Sequence, residues 1–312
     1  MTPKRPPPRP LKVGVQLPEV EREVRWPELR DMARTAEEVG FDSIWVGDHL
    51  LYRDDDLPPR GPWEAWSVLA ALAGITERVE LGPLVASASF HNPAMLAKKA
   101  ATVDEISGGR LIMGLGAGWN KTEYRAYGFP FDHRVDRFEE AFTIVRGLLR
   151  DGHVDFAGRY HQALDCVLVP RSEREGGPPI MVGTTGPRML RLAAAHADAW
   201  NAWFTWYGNR PEGIAAVRES VDAACADVGR DPATLERTVA ALVQLETGEV
   251  ARRGGPSEKA PPIRGPDEDI ARVLRAYAAE GISHIQLVVD PITVASIERL
   301  GPVLDALSAS AR

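Results

Sequence analysis

The stretch RVELGPLVASASFHNPAMLAKKAATVDEISGGRLIMGLGAGWNKTEY, Arg78 to Tyr124, decides the fold class. It runs from an apolar strand (Val79 to Ala86) into a helix opened by Pro93-Ala94, a Ser-Gly-Gly turn, a second strand (Arg110 to Leu115) and a Gly-rich loop. A helical pattern of about fifteen residues between two short apolar strands is the spacing of a parallel crossover. The carboxyl end of each strand opens into small polar residues, Ser87, Ser89 and His91 after one and Gly116, Gly118 and Asn120 after the other. Ligands of parallel α/β folds bind at that end.

Outward from this segment the alternation continues. Leu11 to Leu17 and Ser43 to Val46 read as strands, with a helix from Trp26 to Val39 closed by Gly40. Helices are expected over Trp63 to Ile75 and Arg134 to Arg150. Residues 151–178 break the rhythm with Gly and Pro and suggest an inserted hairpin or loop. Strands then return at Pro179 to Val182, Ala199 to Trp203, Leu235 to Leu245 and His284 to Val289, between helices at Pro187 to His196, Glu212 to Val228, Asp267 to Glu280 and Ile292 to Leu307. About eight strand-plus-helix units of this size match a closed (β/α)8 barrel. The alternative, an open doubly wound sheet, needs a G-x-G-x-x-G turn in its first crossover, and Gly114-Leu-Gly116-Ala-Gly118 has neither the spacing nor the place.

Composition narrows the function classes. The 312 residues are 44% hydrophobic, and 37 Lys plus Arg against 44 Asp plus Glu leave a net charge of −7, with no basic footprint for nucleic acid. No segment has the apolar length of a membrane span. The opening MTPKRPPPRP lacks an apolar signal core and reads as a disordered lead-in over residues 1–10. Cys166 and Cys225 lie far apart without metal-ligand spacing, the pattern of reduced thiols, and the expected compartment is the cytoplasm. The histidines show no paired ligand spacing either, so no metal is expected, and only His91, ahead of the Pro93 helix, stays a site candidate.

DSIWVGDHL (Asp42 to Leu50), Val79 to Trp119, EYRAYGFPF (Glu123 to Phe131) and GPRMLRLAAAHADAWN (Gly186 to Asn201) resemble the bacterial luciferase-like flavin monooxygenase superfamily. The likeness is greatest to its branch of oxidoreductases using the deazaflavin coenzyme F420, and it extends from about Lys12 to the C-terminus. It implies a (β/α)8 barrel with the cofactor in its C-terminal mouth, a lid at residues 247–265, and a third-strand bulge with a non-prolyl cis peptide near Pro83-Leu84-Val85 and Ala86, backing the ring. Pro83 departs from the family pattern, and the Gly82–Pro83 isomer stays open. The resemblance further implies hydride transfer to or from a small organic molecule, with an FMN monooxygenase fed by a partner reductase as the alternative and a flavin-binding protein without turnover as a third. Dimers are frequent among relatives, so a homodimer is an expectation.

Asp48 and His49 are the expected catalytic pair, an imidazole suited to moving a proton near neutral pH and a carboxylate to orient it; the structural alternative is a capped turn and a backbone contact. Gly116, Ala117, Gly118 and Trp119 permit close backbone approach to a ring or phosphate, or form a tight turn. Some sugar-phosphate dehydrogenases of the F420 branch carry a catalytic Glu where Trp119 stands; Glu123 matches a common scaffold position and is a weak substitute. Gly183, Thr184, Thr185 and Gly186 precede a helix and, with Arg188, could cradle a phosphate or cofactor tail, or Thr185 could merely cap. Trp203 and Trp206, with Phe204 and Tyr207, could line a substrate pocket, meet a second subunit or receive the lid.

Overall fold

The computed structural model of the chain describes residues 7–53, 58–245 and 259–309. Its elements follow the alternation of the sequence. β1 (Lys12–Gln16), α1 (Trp26–Val39), β2 (Ser43–Val46), α2 (Ala65–Ala73), β3 (Glu80–Pro83), β4 (Ala86–Ser87) and α3 (Pro93–Ser107) come first. β5 (Met113–Gly116), α4 (Lys121–Tyr127), α5 (Arg134–Asp151) and the pair β6 (His153–Ala157) and β7 (Gln162–Val167) follow. β8 (Ile180–Gly183), α6 (Pro187–His196), β9 (Ala199–Ala202), α7 (Ile214–Asp227), β10 (Glu236–Gln244), α8 (Asp267–Ala279), β11 (His284–Asp290), α9 (Val294–Arg299) and α10 (Gly301–Ala309) complete the order.

The main sheet has the order β3-β2-β1-β11-β10-β9-β8-β5-β4, every pairing parallel. Its nine strands fill eight barrel positions, because β3 and β4 are one strand interrupted at Leu84-Val85, the site of a non-prolyl cis peptide. Leu81 N donates to Arg110 O (2.9 Å) and Ile112 N to Leu81 O (2.7 Å), which closes β3 onto the segment entering β5. The fold is therefore a closed (β/α)8 barrel, as expected. The expected third-strand irregularity lies two bonds beyond Gly82–Pro83, whose isomer the sequence left open.

Local chemistry accounts for the element boundaries. Gly40 ends α1 in the left-handed region (φ 99°). Asn92 accepts the Met95 N–H to start α3, with Pro93 in the first turn, where its missing N–H costs nothing. Glu64 caps α2 by accepting from Trp66 and Ser67 N–H, so that helix begins after the expected Trp63. The last expected helix is two, α9 and α10, because Pro302 cannot donate back into the preceding turn. The segment 151–178 carries the antiparallel β6–β7 pair. The lead-in is not loose as far as residue 10: Arg9 pairs with Asp42 at 2.8 Å and donates to Gly40 O. Residues 1–6 lie outside the described residues. Strand interiors such as β11 are buried along their whole length, as expected for a parallel sheet covered on both faces.

Candidate active site

The carboxyl ends of β1, β2, β4, β5, β8 and β9 enclose a cavity of about 690 Å³. It is within the usual size of small-molecule and cofactor sites. Of the expected residues, Asp48, His49, Leu84, Val85, Gly116, Ala117, Gly118, Trp119, Gly183, Thr184, Thr185, Gly186, Trp203 and Trp206 line it. Pro83 and Ala86 do not; they are the strand residues flanking the interruption and carry Leu84 and Val85 into the cavity.

The expected pair divides into two separate constellations. Asp48 does not orient His49. Its Oδ2 accepts from Ser87 N (2.9 Å) and lies 2.9 Å from His91 Nε2, so this buried carboxylate joins β2 to the turn after β4. His91, kept as a candidate, enters the site through Asp48. The partner of His49 is Glu123, whose Oε2 lies 2.9 Å from Nδ1. Glu123 is fully buried, and its Oε1 also accepts N–H from Leu50 (2.6 Å) and Leu51 (3.1 Å). With Nδ1 turned to this carboxylate, Nε2 is the ring nitrogen that faces away from Glu123. Glu123 thus lines the cavity beside His49.

Glu19, at the end of β1, is a second carboxylate the sequence reading missed; its Oε1 lies 3.7 Å from His49 Nε2. The only signal was its place just past a strand, the same cue that marked Asp48. Burial alone disfavours the charged imidazole, but Glu19, then Glu123 and Asp48, outweigh it and raise the His49 pKa above the ordinary 6.5. The rings of Tyr52 (4.8 Å) and Trp119 (5.5 Å) flank His49.

Glycines leave space for Val85. A Cβ on Gly116 would stand 2.8 Å from Val85 Cγ2, and one on Gly183 3.2 Å from it. Val85 thus sits between β5 and β8 on a floor that side chains there would fill. Gly118 has φ +73°, and a Cβ there would meet Tyr124 Oη at 2.1 Å. Both reasons require glycine.

On the opposite wall, α6 begins at Gly186 with Pro187 in its first turn and no side-chain cap. Thr185 does not cap; Thr184 Oγ1 accepts the Gly186 N–H at 3.2 Å. Arg188 departs from the expected cradle: it is absent from the cavity lining, and its guanidinium bonds Asp136 (2.5 Å) and Glu139 at the surface. The arginine that does line the cavity is Arg134, which donates to Gly118 O at 2.7 Å and lies 4.3 Å from the Phe131 ring centre. No local motif marks it.

The aromatic cluster splits. Trp203 and Trp206 line the cavity, while Phe204 and Tyr207 are buried, the Tyr207 hydroxyl donating to Ala240 O at 2.6 Å. Of the expected lid, 247–258 lie outside the described residues; Ile263 pairs with Val243 along β10. Among the described residues no His/Cys/Asp/Glu group able to hold a metal is present, and no helix is long and apolar enough to cross a membrane.

The chain is 30% identical over 220 residues to the 5,10-methylenetetrahydromethanopterin reductase of Archaeoglobus fulgidus, covering 70% of this chain and 60% of that protein. It is 34% identical over 179 residues to the F420-dependent glucose-6-phosphate dehydrogenase of Amycolatopsis mediterranei, covering 55% and 52%. The chain thus spans about half to three fifths of the length of these relatives. A solved F420-dependent secondary alcohol dehydrogenase, in complex with an F420-acetone adduct, superposes with a TM-score of 0.80 at 20% identity, over 95% of this chain and 99% of the other, which shows a shared fold. The family model for luciferase-like monooxygenases matches residues 11–258, and the chain belongs to that family.

Proposed function

We propose that the chain is an oxidoreductase that binds coenzyme F420 in the barrel mouth and exchanges a hydride between it and a small organic molecule. The observation that carries this reading is His49, tied through Nδ1 to buried Glu123 so that Nε2 serves as the proton-exchanging atom at the wall of the mouth cavity. The reductase and dehydrogenase named above support the same class of reaction.

The residues present fit a deazaflavin. The floor at Val85, Gly116 and Gly183 would give a planar ring close access to backbone, since a Cβ on either glycine would press on Val85. Gly183 to Gly186, the amino end of α6 and Arg134 would hold the anionic tail. When bound, the deazaflavin supplies a carbon that accepts or gives the hydride. His49 takes or returns the substrate hydroxyl proton at Nε2; Glu123 fixes its ring and tautomer. Asp48 holds the turn after β4 in place through Ser87 and His91. Trp119, Trp203 and Trp206 exclude water and present apolar surface to the substrate.

An FMN-dependent monooxygenase is the second reading, favoured by the family's name and by a floor that would accept any flavin-like ring. Fluorescence titration of the purified protein with F420 and with FMN separates them. Tight binding of F420 alone is the expected result; preference for FMN overturns it and directs the search to oxygen and a reductase partner.

A further inference from the structure

An acid–base residue must be reset in every turnover, and a cavity filled by cofactor and substrate closes off water from its mouth. His49 has Nδ1 committed to Glu123, so the proton it exchanges is carried on Nε2. Among the described residues, the carboxylate oxygen nearest on that side is Glu19 Oε1, at 3.7 Å. Glu19 is 8% exposed and firmly held: the Tyr52 hydroxyl donates to Oε1 at 2.5 Å and the Gln16 amide to Oε2 at 2.9 Å. Its carboxylate packs against Gly47, where a Cβ would stand 2.3 Å from Oε2.

Beyond Gly47 is a second cavity, of about 340 Å³, walled by Arg22, Glu23, Arg60 and Trp63 among others. Among the described residues, only Glu19 and its neighbour Val20 line both cavities, and only Glu19 can carry a proton. The other charged groups nearby are engaged elsewhere: Asp48 on Ser87 and His91, Glu21 on the N–H groups of Glu19 and Val20, Arg22 on Glu28, Glu23 on Arg25, and Arg60 on Val20 O.

We propose that Glu19 is the proton exit of the site, passing protons between His49 and water in the second cavity while the first is filled. The inference rests on the function proposed above. In the oxidative direction the substrate O–H bond breaks and its proton goes to Nε2, while the carbinol C–H electron pair leaves as hydride to the bound deazaflavin. The imidazolium then gives its proton to Glu19 Oε1, and the carboxylic acid releases it to water beyond Gly47. Reduction runs the same path backwards. A small rotation of either side chain, or one bridging water, closes the 3.7 Å gap.

The first test needs no cofactor. Titration of ¹⁵N-histidine-labelled, ligand-free protein by NMR should place the His49 pKa above 6.5 and show it falling in Glu19→Gln. An unchanged His49 titration overturns the relay, whatever the cofactor. The second arm uses whichever of F420 or FMN binds: exchange of the His49 Nε2 proton with water in the filled site should slow at least about tenfold in Glu19→Gln. Equal exchange rates overturn the exit even if the pKa moves. Gly47→Ala, which keeps the charge but pushes the Glu19 carboxylate aside, should slow exchange by a smaller factor. With F420, kcat should fall about tenfold with little change in KM, and the solvent deuterium isotope effect on kcat should rise; an isotope effect equal to wild type overturns the proposal. Failure of F420 to bind, with both NMR effects present, removes the function reading and not the relay.

Discussion

Two histidines at opposite ends of the barrel are treated in opposite ways. His49 follows β2 at the carboxyl mouth, between carboxylates, and its pKa is raised. His284 opens β11 at the other end, 2% exposed, with Nε2 2.7 Å from Ser43 Oγ and its ring edge-on to Trp45. Burial, aided by Lys12, pushes its pKa down to about 3. The same side chain is thus kept ready to charge at the mouth and kept neutral at the base. A barrel divides its labour in this way, with chemistry at the carboxyl ends of the strands and stability at the amino ends.

The largest effect should come from exchanging the roles by mutation. His49→Ala should lower turnover by about a hundredfold or more. Its midpoint of thermal unfolding should move less than that of His284→Ala. His284→Ala should do the reverse, costing roughly 2–3 kcal/mol of stability from a cavity and the lost Ser43–His284 hydrogen bond, which leaves the Ser43 hydroxyl only the Trp45 Nε1 donor. Its turnover per folded molecule should be little changed. Steady-state kinetics and urea unfolding on both variants decide it; a large kinetic loss in His284→Ala would collapse the contrast.

The pH dependence sharpens the same comparison. His284 has a native pKa below its unfolded value, so its contribution is present above pH 6.5 and is lost as pH falls towards about 3. Between pH 6.5 and 5 that loss is roughly 2 kcal/mol. His49 has the opposite sign: its contribution is full below pH 6.5 and is lost as pH rises through its raised pKa. Urea unfolding at pH 5 and 6.5 should therefore show an acid loss that His284→Asn, which takes up no proton, largely removes. An equal acid loss in the variant would assign it to other groups.

A smaller effect separates two arginines. Arg134→Ala should weaken cofactor binding about tenfold, because it removes a cation from the cavity wall. Arg188→Ala should change affinity less than about twofold, because its surface ion pairs with Asp136 and Glu139 lie outside the cavity lining. Titrations of the two variants side by side check this, and a larger loss in Arg188→Ala would return it to the cradle.

The contrast between these arginines also shows what was legible. Arg188 stands in the first turn of α6, and position along the chain suggested a phosphate contact; Asp136 and Glu139 of α5 take it instead. Arg134 carries no motif, and only the approach of α5 to the loop after β5 brings it to Gly118 O. The strands, most helix ends and the glycines at the mouth were readable because periodicity, caps and turn chemistry act over a few neighbouring residues. Gly118 and Gly40 announce their backbone requirements locally.

The alternating βα order, the closed parallel barrel it implies, the carboxyl-end mouth and His49 at that mouth all follow from local pattern along the chain. Partnership between side chains follows from tertiary contact instead. Asp48 stands next to His49 in sequence yet serves Ser87 and His91, while Glu123, 74 residues away, holds the His49 ring. Glu19, just past β1, and Glu123, in α4, reach the same imidazole from different elements. The reason is geometric: adjacent side chains diverge where a strand ends, whereas closing the barrel draws the ends of β1, β2 and β5 around one cavity.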